Sequence, residues 1–310
     1  MGLRMVFVAA LTVLGFGFTQ VAGQAGVSTC PKGDMDKSFF KSIVQNNYAA
    51  PSSFSVDEVT SVLMECLASP DSQLRDTYGF EILSRWIRRG VLTPETFKRM
   101  VATLTPNLRI GIGERGTNTA FRRTFSALIL SELVRQENLS PYLEDADVKV
   151  LLEAGLNYLT NEQDLRGFDS QFGYVHGVAH GADLLFRLAN HKRLEKPDLE
   201  RILEAVRTKV APVGETTYVY GEDERLARVV IAVLARGVIS AAQWGEYLEK
   251  ILSPAPFSSW DEIWFDTTGL AKRHNTKLFL LALNLSLTLG GASNARDLLP
   301  AVNTALTNLP

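Results

Sequence analysis

The chain of 310 residues is poor in the residues that usually announce chemistry. It has two cysteines and four histidines. Neither sign of charge prevails. The 32 Lys and Arg stand against 34 Asp and Glu, a net −2, and so balanced a surface argues against nucleic acid as a partner. A GxSxG elbow, a P-loop, a Rossmann glycine pattern and a CxxC pair are all missing. Strand signals are scarce as well: "TTYVYG" (216–221) is the one short extended stretch, and it reads as a loop.

What is there begins at the N-terminus. "MGLR" is followed by the apolar run "MVFVAALTVLGFGF" and then by small residues at Val21-Ala22-Gly23 and Gly23-Gln24-Ala25. This is the pattern of a signal peptide, residues 1–25, cleaved near Gly23 or Ala25. The run is short of the roughly 20 apolar residues of a membrane span, although a retained N-terminal anchor is the alternative. Cleavage removes only Arg4 and moves the formal charge from −2 to −3. "TKLFLLALNLSLTLGG" (276–291), interrupted by Asn284, Ser286 and Thr288, reads as a buried core helix. The expectation is therefore a periplasmic or secreted protein without a membrane span after signal removal. In such a compartment Cys30 and Cys66 are expected to pair, closing a loop worth roughly 3–4 kcal/mol in the chain-entropy account.

Residues 26–310 read as a single all-α domain. "SVDEVTSVLMECLA" opens with a capping box, Ser55 to Glu58. "LTPETFKRMVATL" has Thr93 as N-cap and Pro94 at the first helical position. "RGVLTPETF" (89–97) echoes "RGVISAAQW" (236–244). Each ends a helix at Arg-Gly, turns through two apolar residues and restarts at a Thr or Ser cap. This is one αα-hairpin joint used twice, and it implies an array of antiparallel helix pairs. A HEAT-like α-solenoid is the expected arrangement, with an α/α toroid as the alternative.

The chemistry concentrates in "GYVHGVAHGADLLFRL" (173–188). With His176 at zero, His180 lies at about 40°, Asp183 at about −20° and Arg187 at about 20° around a helix. Gly177, Gly181, Ala182, Leu184, Leu185 and Leu188 fill the other arc, so the helix packs through small and aliphatic residues. The polar stripe lacks the Glu and Lys of a solvated face and is expected to line a groove. Three readings follow. His176, His180 and Asp183 could ligate a metal such as zinc, though Gly177 stands where the zincin pattern puts its glutamate. They could bind a ligand or move protons without metal. Or they could be structural, with Asp183 pairing to Arg187 four residues on.

Two further segments carry candidates. In "YGEDERLARVV", Glu222 stands at the head of an apolar stripe and needs a cation, for which Arg225 would serve. In "WDEIWFDTTGLAKRHNTKLF", Trp260, Trp264 and Phe265 cluster before His274, a composition that suits a ligand groove or a core edge. His191 reads as an exposed cation at a helix end. The leading expectation is a binding module for a small molecule or a peptide or protein partner, its groove lined by His176, His180, Asp183, Arg187, Glu222, Arg225 and His274. A metal-assisted hydrolase built on His176, His180 and Asp183 is the rival, and an interaction scaffold the third reading.

"DLRGF…FGYVHGVAHGADLLFRLA" and "GEDERLARVV", flanked by "LRDTYGFEILSRWI", "FRRTFSALIL" and "HNTKLFLLAL", resemble the bacterial domain of unknown function 2785. The resemblance runs from about residue 60 to residue 290. It implies a helical fold and marks His176, His180, Asp183, Glu222 and Arg225 as motif positions, but it implies no reaction. Tyr174 stands where the family pattern leads one to expect Trp, and the signal peptide suggests an exported branch.

Overall fold

The computed structural model describes residues 28–290 and 294–310; the expected signal peptide lies outside them. The fold is all-α. After α1 (Lys37–Gln45) and α2 (Val56–Cys66), helix α3 begins as a π-helical stretch, Gln73–Phe80, and continues as Glu81–Arg88. Then come α4 (Pro94–Asn107), α5 (Thr119–Leu139) and α6 (Asp145–Asn161). A minute hairpin, β1 (Phe168–Asp169) and β2 (Gly173–Tyr174), pairs Phe168 with Tyr174. It is followed by α7 (Gly177–Ala189), α8 (Lys196–Val210), α9 (Glu222–Ala235) and α10 (Ala241–Ile251). A 3₁₀ turn at Trp260–Phe265, α11 (Thr267–Leu289) and α12 (Ala295–Asn308) complete the chain.

The helices sort into two rows. Odd-numbered helices α3, α5, α7, α9 and α11 pack side by side, and α2, α4, α6, α8, α10 and α12 form the second row behind them. Among the described residues α3 and α11, the outer members of the odd row, have no extensive packing against each other. One continuous apolar core runs between the rows from Met35 to Leu309.

The joints follow the local chemistry. Gly90 and Gly237 both take left-handed backbone, at φ 67° and 66°, which glycine adopts at little steric cost. The next helix then starts at Thr93 or Ser240, whose side chain accepts from the backbone of Thr96 or Gln243. Phe97 and Trp244, equivalent in the echo, are both buried. Cys30 and Cys66 are disulfide-bonded, with Cα atoms 4.8 Å apart, and this ties the segment before α1 to the end of α2.

Two expectations need correction. Residues 276–291 do not form a wholly buried helix. Leu281, Leu285 and Leu289 of α11 are 45%, 59% and 75% exposed. They share one face at four-residue spacing, and among the described residues no helix covers that face. Strand signals are scarce and point only to 216–221, yet it is the segment leading to His176 that contains the β1–β2 hairpin. No helix among the described residues is long and apolar enough to cross a membrane.

Candidate functional site

α3, α5, α7 and α9 together line a cleft of about 560 Å³, within the size range of small-molecule pockets. Its geometry starts beneath α7. There Arg123 of α5 and Glu162, both fully buried, form a two-pronged ion pair with N–O distances of 2.5 and 2.9 Å. Glu162 Oε1 also accepts from the backbone of Gln163 and Asp164. Asp164 in turn accepts from Arg166, and Lys209 donates to the carbonyls of Thr160 and Glu162. Burial pushes the Lys209 amine down to about 8.

On this base the chain turns sharply into α7. Val175 and His176 donate backbone N–H groups to Gly167, and His176 also to Arg166. A Cβ on Gly177 would meet the Asp164 carbonyl at 3.1 Å and Glu162 at 3.2 Å. One on Gly181 would meet Tyr158 and Leu159 of α6 at 3.0 Å. The glycines thus permit the close approach that the small-residue arc anticipates. Tyr158 secures it with a 3.0 Å hydrogen bond to the Gly177 carbonyl.

The turn leaves His176 at φ 48°, in the left-handed region that costs a non-glycine residue energy. Its ring lies 4.6 Å from that of Tyr174. It is 6% exposed, its ring is hydrogen-bonded to the Tyr220 backbone, and its Nε2 has no hydrogen-bond partner among the described residues. Burial, helped by the charge of Arg225, pushes its pKa down to about 4, so the ring is neutral at pH 7. His180, one turn on, is also buried and held well below the usual histidine range by burial. Its Nδ1 lies 3.1 Å from the Thr124 carbonyl. A carbonyl only accepts, so the proton sits on Nδ1 and Nε2 is left as an acceptor.

Asp183 pairs across to α9: Arg225 donates to it, and Arg228 lies 3.8 Å away. The expected Asp183–Arg187 pair does not form, because α9 supplies closer guanidinium groups. Burial pushes the Asp183 carboxyl up while Arg225 and Arg228 pull it down. Arg187 makes no ion pair within 4.0 Å among the described residues. It lies over Phe186, Cζ to ring centre 4.9 Å, and Arg228 lies over the same ring at 4.7 Å. Burial lowers its pKa. On α5, Glu132 is held by Arg88 at 2.6 and 2.7 Å and by Arg135 at 3.2 Å.

The structure thus brings His176, His180, Asp183, Arg187 and Arg225 to one cleft and leaves two candidates outside it. Glu222 is buried beside the cleft, where it accepts from the Tyr220 backbone at 3.0 Å. No cation among the described residues pairs with it, since Arg225 is engaged by Asp183. Burial raises its pKa. His274 is exposed on α11 and does not line the cleft. Trp264 is 43% exposed and Phe265 fully so, and neither they nor Trp260 line the cleft. His191 is no exposed cation: it is 4% exposed, accepts from the Arg193 backbone, and is pushed toward neutrality by burial.

The expected metal set does not converge either. Among the described residues no three His, Cys, Asp or Glu side chains are grouped as ligands. Asp183 is taken by arginines, and the surrounding guanidinium charge opposes a cation. Sequence reasoning missed the α3 and α5 wall, including Asp76, Glu81, Arg88 and Glu132, and the rim residues Tyr174 and Tyr220. The π-helical start of α3 carries Asp76 and runs directly into Phe80 and Glu81. Arg75, fully buried against Phe121 and Phe125, pins that stretch to the Phe172 carbonyl at 2.7 Å.

Fold and cleft together define a two-row all-α protein with a polar, arginine-rich cleft on its odd row. The family model of the proteins of unknown function DUF2785 matches residues 108–285, more than half of the chain, and the protein belongs to that family. The match spans α5 to α11 and so contains the histidine and arginine walls, while the α3 wall precedes it. No curated protein and no solved structure matches the chain.

Proposed function

We propose that the protein is an exported binding module of the HEAT-like helical-stack type, and that the cleft between α3, α5, α7 and α9 holds a small polar ligand. The observation that carries this reading is His176. A buried imidazole with an unpartnered Nε2 and left-handed backbone costs stability twice over, and such costs concentrate where a ligand is bound. The 560 Å³ cleft it lines is sized for one. Export is supported by the N-terminal apolar run and by the Cys30–Cys66 bond, which suits an oxidising compartment. The charge balance supports a partner other than nucleic acid.

A thermal-shift screen of sugars, amino acids, organic acids and nucleotides tests the reading. The expected result is saturable stabilisation by at least one compound, lost in Leu128→Trp, which fills the cleft from its half-buried lining. Stabilisation that survives in Leu128→Trp would place the ligand elsewhere.

A further inference from the structure

The cleft has a chemical polarity that narrows what it holds, and the narrowing rests on the proposed binding function. Four guanidinium groups line the cleft, those of Arg88, Arg187, Arg225 and Arg228, and Arg135 stands behind Glu132. Four carboxylates line it as well: Glu132 takes Arg88 and Arg135, Asp183 takes Arg225 with Arg228, Asp76 pairs with Arg75, and Glu81 accepts from Tyr48. Arg187 is left over. It shares the Phe186 ring with Arg228, both side chains line the cleft, and no carboxylate among the described residues lies within 4.0 Å of Arg187. Planar guanidinium groups so arranged present their forks to an oxyanion.

The other features ask for something besides charge. His180 Nε2 and His176 Nε2 are acceptor or bare positions on neutral rings, and they match hydroxyl donors. At the rim Tyr174 and Tyr220 are each 48% exposed, and Phe168, 46% exposed, stands 5.1 Å from Tyr174 and 6.3 Å from Tyr220. These three neighbouring aromatic rings, set edge-to-face and tilted to one another, are left open to water beside the cleft. Their electron-rich faces suit the weakly positive C–H face of a sugar ring.

We infer that the cleft binds an acidic monosaccharide, a sugar phosphate or a sugar carboxylate. Its oxyanion lies at Arg187 and Arg228, its hydroxyls reach the histidines, and its ring lies against the aromatic rim.

The test compares glucose 6-phosphate, glucuronate, glucose and inorganic phosphate by calorimetric titration at constant ionic strength. The wild-type protein is expected to bind glucose 6-phosphate or glucuronate at least tenfold more tightly than glucose or inorganic phosphate. Which acid prevails identifies the anionic group. In Arg187→Met that preference is expected to fall tenfold or more, with the ligand-free melting temperature unchanged, because Arg187 has no ion pair to lose. Glucose binding as tightly as the acids, or Arg187→Met retaining wild-type affinity for them, would overturn the inference while leaving the cleft as a binding site. If none of the four binds but the broader screen finds a Leu128→Trp-sensitive ligand, the acidic-sugar class alone falls. If that screen is also empty, the binding reading falls with it.

Discussion

Two clusters of buried polar groups flank the start of α7, and they are finished differently. Beneath it, Arg123 and Glu162 meet in two hydrogen bonds, the second carboxylate oxygen caps two backbone N–H groups, and Lys209 and Arg166 close the remainder. Above it, His176 Nε2 has no partner and Arg187 has no counter-ion within 4.0 Å among the described residues. The same fold that completes every bond in one cluster leaves the other open a few residues away. A closed cluster serves as foundation, because a half-satisfied one in that position would cost more than an apolar core. An open cluster in a cleft is suited to a molecule that completes it.

That contrast can be broken most severely at the foundation. Arg123→Ala or Glu162→Ala strands a buried charge and is expected to cost about 3–5 kcal/mol in urea unfolding. A loss below about 1 kcal/mol would show that the network is not the support described here. The covalent closure at the N-terminal end comes next. Replacing Cys30 and Cys66 together by serine is expected to cost roughly 3 kcal/mol by the same measurement, without altering ligand affinity.

The third effect is on pH dependence. His176 has a folded pKa lowered from 6.5 to about 4. Its share of stability is present above the unfolded value and lost as pH falls from 6.5 toward 4, because the unfolded chain takes the proton first. His180 and His191, also lowered by burial, act with the same sign. His176→Asn, which tolerates left-handed backbone, should remove on the order of 2 kcal/mol of the drop between pH 7 and pH 4.5. A stability curve as steep as the wild type would sink this assignment. The smallest effect belongs to the open cluster: Arg187→Met is expected to leave unfolding free energy within about 0.5 kcal/mol of wild type.

The sequence made part of this legible. Helical periodicity placed His176, His180, Asp183 and Arg187 on one stripe and the glycines on the opposite arc. Caps and Arg-Gly joints located helix ends. Local pattern carries no information about partners from distant helices, so it could not assign Asp183 to Arg225, 42 residues on, in place of the nearer Arg187. His191 looked exposed because its short joint is polar, yet Arg193 and Arg236 fold over that joint, and Arg236 donates to the His191 carbonyl at 3.0 Å. The leucines of α11 have the same hydropathy whether or not another helix follows. Which neighbours α11 packs against decides that they face water. The π-helical winding of α3, which puts Asp76 in the cleft wall, leaves no periodic trace in eight residues.

The Cys30–Cys66 bond makes the two ends of the stack unequal. In an array where each helix pair leans mainly on its neighbours, opening begins at whichever end is cheaper to peel away. The first pair is stitched to the segment before it, while α12 rests only on noncovalent contacts with α10 and α11. Unzipping should therefore proceed from α12 inward, reaching the cleft helices before the stitched end lets go. Amide exchange followed along the chain would register that direction as a gradient of protection, and reducing the disulfide would flatten it.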